Sequence, residues 1–275
     1  MAIKIQQLSD YGTSSPIVAR LSIQTKDLLP FFEISDFKRA EIFSIFFSNI
    51  QPKLMACDRI KESLTNEVLT HQKSIDDCGL QIQTHGNAYT LPAILELEHR
   101  VETFLYSAKS VLRDLTQIFI ILFDKDFQRR ARFNEVLKWA KDTFGIEDEY
   151  VKMLNEDQKW IKRIVDMRNA VEHPGGGSGT LHIDNFTSIE DDQKVMVIEP
   201  RWSLNNDSKI SIVQEMNVIV SDLLTFCEET LVLNIQRFKK PFPIQIAEIP
   251  EKERDPACPV RFKIEINAKI NSFQV

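Results

Sequence analysis

The sequence predicts a mainly α protein: a helical bundle with a small β-hairpin insertion and a short C-terminal β segment. Three observations predict it. Between residues 57 and 236, long stretches repeat apolar residues three and four apart, the spacing of one face of an α-helix. Glycine and proline punctuate those stretches at Gly79, Gly145, Pro174 and Pro241. Past Pro243 the period changes to two, and VRFKIEIN (260–267) sets Val260, Phe262, Ile264 and Ile266 on one side of a strand.

Taken in order, AEIFSIFFSNI (40–50) is dense in apolar residues and is expected in the core. CDRIKESLTNEVLTHQKSI (57–75) places Ile60, Leu64 and Val68 on one helical face, with turns expected at Gly79 and Gly86-Asn87. The longest predicted helix covers 92–123, with Thr90 as a cap and Pro92 in the first turn, where its missing amide costs nothing. Such a helix is about 45 Å long and needs a long partner, from this chain or a second copy. A helix over roughly 127–143 carries Phe133, Val136, Leu137 and Ala140 and stops before Gly145. Asn155 and Gln158 fit a capping box for the next helix, which runs to about Glu172. Pro174 disfavours helical geometry at His173. GGGSG (175–179) reads as a flexible loop, and TLHIDNF and KVMVIE as the two strands of a hairpin. A last helix, about 210–236, aligns Ile212, Met216, Ile219, Val220, Leu223 and Cys227 before strands at 244–249 and 260–267. The implied organisation is an N-terminal helical segment (1–85), a bundle (86–240) with its hairpin insertion at 180–200, and a β tail (241–275).

At 275 residues, 43% hydrophobic and 27% charged, the chain is long enough to bury a core and has an ordinary globular composition. A net charge of −6 provides no global positive field for nucleic acid or anionic membrane, so phosphate contacts must come from a local patch. Cys57, Cys78, Cys227 and Cys258 are scattered, which argues against a zinc site or a disulfide framework and for a reducing, cytoplasmic setting. The start MAIKIQQLSDYG lacks the apolar core of a secretory signal, and the longest apolar run, IFIILF (118–123), is too short to span a bilayer. No membrane and no cofactor is expected. His71, His85, His99 and His182 lack ligand spacing, so no metal is expected either. GGGSG follows a helix and no Gly-Lys-Ser/Thr comes after it, which excludes a phosphate-binding P-loop. QRRAR (128–132) and Lys159, Lys162 and Arg163 read as solvated helix faces unless RNA is the ligand. IFSIFF (42–47) reads as core rather than a base-stacking platform.

The helix ending at His173 holds the chemistry. On a wheel, Trp160, Ile164, Met167 and Val171 form the apolar stripe and Ile161 and Val165 widen it, yet Arg168 and Glu172 fall inside that arc. A charge there must be paired or must face a cleft. One account pairs Arg168 with Glu172 four residues on and leaves His173 as a polar terminus favoured by the helix dipole. The other uses the same dipole to favour the imidazolium of His173 for proton transfer, with the Arg168 guanidinium holding a phosphate in a bidentate fork. Asn169, one turn before His173, then orients the ligand or the ring, with Glu172 and Lys162 as further positioning or substrate-binding side chains. Those are the parts for phosphodiester cleavage by the ribose 2′-OH without a metal.

Arg168-Asn169-Ala170-Val171-Glu172-His173 resembles the Arg-x4–6-His motif of HEPN domains, including the polar residue after the arginine. The resemblance spans about 90–236. It implies a four- or five-helix HEPN-type bundle that forms a homodimer and cleaves RNA at a shared cleft, with Arg168 and His173 catalytic and Asn169 positioning. It also implies an acidic residue from an earlier helix, for which Glu96, Glu98, Glu102 and Asp114 are candidates. RNA or a nucleotide is the implied partner, with an antitoxin or another protein as a second where the domain is a toxin or part of a defence system. HEPN toxins silenced by a nucleotidyltransferase often carry tyrosine two residues after the histidine; Gly175 stands there and argues against that control. The alternative is a non-catalytic HEPN-like nucleotide-binding or dimerisation/adaptor module, which the acidic net charge favours.

Overall fold

The computed structural model describes residues 11–82, 89–128, 130–191, 194–240 and 243–266. In chain order the helices are α1 (Pro16–Val18), α2 (Gln24–Leu28), α3 (Asp36–Ser44), α4 (Gln51–Cys78), α5 (Leu97–Leu115), α6 (Gln117–Phe123), α7 (Phe133–Phe144), α8 (Glu149–Glu172) and α9 (Ile212–Ile235). The strands are β1 (Gln81–Ile82), β2 (Tyr89–Thr90), β3 (Leu181–Asp184), β4 (Thr187–Asp191), β5 (Lys194–Ile198), β6 (Arg201–Leu204), β7 (Ile210–Ser211), β8 (Ile244–Glu248) and β9 (Phe262–Ile266). The chain is mainly α with small antiparallel sheets. No described helix is long and apolar enough to cross a membrane. The expected turn at Gly86-Asn87 and most of MAIKIQQLSDYG lie outside the described residues.

Several boundaries differ from expectation for local reasons. Residues 36–78 run helically through a π-helical turn, Ile45–Ile50, immediately before Pro52. Proline has no amide hydrogen to donate and its ring crowds the carbonyl four residues back, and a wider turn gives that ring room. The predicted helix 92–123 starts only at Leu97, because the Asn185 side chain takes both the amide and the carbonyl of Ile94, at 3.0 and 2.8 Å. It is also interrupted at Thr116, whose hydroxyl donates to the Arg113 carbonyl at 2.7 Å. α7 begins at Phe133, six residues later than read, after a loop with Gln128 at φ 54°. α8 begins at Glu149, ahead of Asn155, because Asp148 caps it and accepts from the Tyr150 amide at 3.0 Å.

The chain forms two compact units, each drawn from separated stretches. The first comprises 1–52, 111–155 and 224–275. Its core is aromatic, with Phe119, Phe123, Phe127, Trp139 and Phe144 in a network of ring centroids 5.3–5.7 Å apart. Of the stretch expected to be core, Ile42, Ile45, Phe46 and Ile50 are buried, but Phe47 is 44% exposed. β8 and β9, the two segments expected as strands, pair antiparallel from Ile244↔Ile266 to Glu248↔Phe262.

Glu228 of α9, 1% exposed, is the polar centre of this unit. It accepts from Arg20 Nε at 3.1 Å, Gln24 Nε2 at 2.7 Å and Arg261 Nη1 at 3.4 Å. Gln24 Oε1 in turn accepts the backbone amides of Arg261 and Phe262 at 2.7 and 2.6 Å, tying the start of β9 to α2.

Arg237 forks onto Asp148 at 2.9 and 2.7 Å and stacks 3.7 Å from the Phe144 ring centroid. Partial burial pushes the Asp148 carboxyl up, but the Arg237 hydrogen bond and charge, aided by the amides of Val151 and Tyr150, outweigh it and hold the carboxyl below the usual aspartate range. A carboxylate depressed in this way stabilises the fold fully above its unfolded value and progressively less as pH falls through the folded one. The difference in urea midpoint between wild type and Asp148→Asn is therefore expected to be widest near neutrality and to close as the pH falls below the usual aspartate range. A pH-independent difference would contradict this assignment.

The second unit comprises 53–110 and 156–223. Leu64, Val68, Val101, Phe104, Leu105, Ala108, Ile161, Ile164, Met167, Met216, Ile219 and Leu223 are buried there, so the periodic faces of α4, α5, α8 and α9 form its core. Glu215 receives the Arg163 fork, with Nη2 at 3.1 Å, and the indole N–H of Trp202. The β insertion is not the hairpin expected from TLHIDNF and KVMVIE. β3 pairs with β6, from Leu181↔Leu204 to Asp184↔Arg201, while β5 pairs with β4, from Thr187↔Ile198 to Asp191↔Lys194. Asn185 and Pro200 separate the two ladders: Asn185 spends its side chain on Ile94, and proline cannot donate to a ladder.

Candidate functional site

The last helical hydrogen bond of α8 runs from the His173 amide to the Asn169 carbonyl at 2.8 Å. The glycine run that follows is a closed turn rather than the expected flexible loop. Gly176 N donates to His173 O, Gly179 N to Gly176 O and Gly175 N to Gly179 O, each at 2.9 Å. Asn205 fastens the turn, its amide donating to Thr180 O at 2.8 Å and its Oδ1 accepting from Thr180 N at 2.9 Å. Gly179 has φ +85°, and a Cβ built there would lie 1.7 Å from Asn205 Oδ1. Gly179→Ala must therefore both strain the backbone and eject Asn205. A loss of about 1–3 kcal/mol is expected in chemical denaturation, against little change for Gly177→Ala, where a Cβ meets nothing within 4 Å.

Upstream of the turn, the buried stripe of α8 is centred on Ile161, Ile164, Met167 and Ala170. Trp160, Val165 and Val171 are only half-buried, so the stripe is rotated from the one expected. This rotation places Arg168 at the edge of the core with its side chain 12% exposed. Nη1 donates to Glu172 Oε2 at 2.7 Å, and the guanidinium carbon lies 5.4 Å from the centroid of the Tyr106 ring on α5. One turn beyond Tyr106, Lys109 Nζ donates to Asn169 Oδ1 at 2.6 Å. Glu172 and His173 are exposed. The Arg168 hydrogen bond and then its charge hold the Glu172 carboxyl below the usual range, with Lys109 and His173 adding smaller contributions in the same sense.

Arg168, Asn169, Glu172 and His173 thus share one surface with Tyr106 and Lys109. Lys162 stands apart, exposed and ion-paired with Asp166, about three turns before His173. Of the acidic candidates, Glu96 and Glu98 line a cavity of about 330 Å³ with Ile94, Leu97, Ile183 and Asn185. That cavity is at the N-terminal end of α5, about 16 Å along the axis from Lys109. Glu102 is exposed two turns before Lys109. Asp114 belongs to the first unit, where it is buried and paired with Arg113 at 3.2 Å. What α5 brings to Arg168 and Asn169 is a cation and an aromatic ring. The only sequence trace of them is a tyrosine and a lysine three apart on a polar helix face, a pattern shared with any solvated face.

QRRAR forms part of the loop before α7, with Arg132 on Glu135 at 2.8 Å and Arg129 outside the described residues. His71 packs edge-on against Phe186, with ring centroids 5.5 Å apart, and His85 lies outside the described residues. Among the described residues no group of three or more His, Cys, Asp or Glu side chains is placed to hold a metal ion. Compared with protein-family models, with curated proteins and with solved structures, the chain matches none.

Proposed function

We propose that this chain is a metal-independent endoribonuclease of HEPN type, working as a homodimer in the cytoplasm with Arg168 and His173 at the reacting phosphate. The observation that carries the reading is the anion seat at the end of α8. A single carboxylate, Glu172, is held by one hydrogen bond from Arg168 Nη1 and lies within the influence of Lys109 and His173. An exposed pair of this kind is weak and readily exchanged, and the two non-bridging oxygens of a phosphodiester monoanion offer the same cations a bidentate partner. With phosphate in that seat, the ribose 2′-oxygen attacks the adjacent phosphorus. One P–O bond forms, the bond to the 5′-oxygen breaks, and a 2′,3′-cyclic phosphate is left. His173 of one copy takes the 2′-hydroxyl proton, His173 of the second copy protonates the leaving 5′-oxygen, and Arg168 neutralises the equatorial oxygens.

The second reading is the non-catalytic nucleotide-binding or dimerisation adaptor. The engagement of Arg168 by both Glu172 and Tyr106 favours it, since a group so occupied can serve packing alone. The test is incubation of the purified protein with single-stranded and structured RNA in excess chelator, scored for cyclic-phosphate ends. Chelator-resistant cleavage is expected. RNA binding with no cleavage at any protein concentration would replace the nuclease with the adaptor.

A further inference from the structure

We propose that Tyr106 and Lys109 extend this site into a subsite for one unpaired nucleotide, with its base on the Tyr106 ring and its phosphate between Lys109 and Arg168. The subsite rests on the reading above that the site takes RNA. Tyr106 is 52% exposed although Arg168 lies against its ring. The ring keeps half its surface in water on a face that also carries Lys109, one turn away. The ring and the guanidinium plane are both surfaces on which a base stacks, and a base inside a duplex has no free face to offer. Lys109 Nζ is already fixed at 2.6 Å from Asn169 Oδ1, so the ammonium is positioned before ligand arrives. Such a subsite also accounts for RNA recognition by a chain of net charge −6: affinity comes from stacking and a few local cations, without a broad basic surface. The expected substrate is single-stranded or looped RNA.

The experiment is fluorescence anisotropy of the full chain with a labelled single-stranded RNA 12-mer and the same sequence as a duplex, alongside the cleavage assay. Tyr106→Ala is expected to weaken single-strand binding about 5- to 100-fold while leaving the weaker duplex binding unchanged, and Tyr106→Phe is expected to retain wild-type affinity. Lys109→Ala should weaken binding to both RNAs and reduce the slope of log affinity against log salt by roughly one ion. Equal losses on both RNAs for Tyr106→Ala, or no loss, would overturn the subsite whatever the cleavage assay shows. Selective loss of single-strand binding in a protein that never cleaves would retire the nuclease and leave the subsite standing. A wild type that binds neither RNA would sink both.

Discussion

His173→Ala is expected to lower chelator-resistant RNA cleavage by about 10²–10⁴-fold with the fold intact, because it removes the proton-transfer group while disturbing almost no packing. His173 is exposed, its only described hydrogen bonds are through its backbone, and those remain in the alanine variant. Arg168→Ala should lose about 10²–10³-fold through the missing charge at the phosphate. It also releases Glu172 and uncovers Tyr106, so Arg168→Lys is the cleaner companion: it keeps a positive charge and removes the fork. The expected order of activity is wild type, then Arg168→Lys, then Arg168→Ala and His173→Ala. Because the proposed step uses His173 of both copies, a mixed dimer of the two alanine variants holds only one intact histidine and should regain no activity. Full wild-type activity in His173→Ala would assign the cleavage to another site or to a contaminant.

The largest stability effect is expected far along the chain from the site, at Glu228. Glu228→Ala leaves Arg20, its side chain 11% exposed, without its carboxylate, while Arg261 keeps Glu229 and Glu248 at 2.7 and 2.8 Å, and a broken buried ion pair costs about 3–5 kcal/mol. For a chain of this size that corresponds to a melting point lower by on the order of 10 °C. The loss should be local in its first signs. Gln24, once bonded to Glu228, also holds the amides of Arg261 and Phe262, so hydrogen exchange at those two positions should rise before the helices lose protection. Replacing Glu228 and Arg20 together with apolar residues of similar volume should cost far less, because that pair's charges are removed together. A single Glu228→Ala variant within about 1 kcal/mol of wild type would mean that Arg20 finds another partner or reaches water.

Periodicity was the most legible feature. Val101, Phe104, Leu105, Ala108, Val111 and Leu112 of α5 are all buried, as are Ile212, Met216, Ile219, Val220, Leu223 and Cys227 of α9. The helical period that marks such faces depends only on neighbours within the same helix, and the sequence carries it directly. The alternation of 260–266 was legible for the same reason. Helix ends were less so. Asn185 claims Ile94 from 91 residues away, and no pattern around Pro92 announces it. The partner of a short strand is equally hidden: β3 and β5 both look like halves of a hairpin, yet β3 pairs with β6 and β5 with β4.

At the site, the sequence alone determined that an arginine, an asparagine, a glutamate and a histidine share the last turns of one helix, because a helix has a fixed pitch and Pro174 stops it. Three things needed the tertiary structure. The true buried stripe of α8 turns Arg168 to the edge of the core; α5 supplies a lysine and a tyrosine where an acid was expected; and Asn205 closes the glycine run into a turn. Each depends on groups distant in sequence meeting in space, where burial and hydrogen bonding outweigh the local preferences that the chain displays along its length.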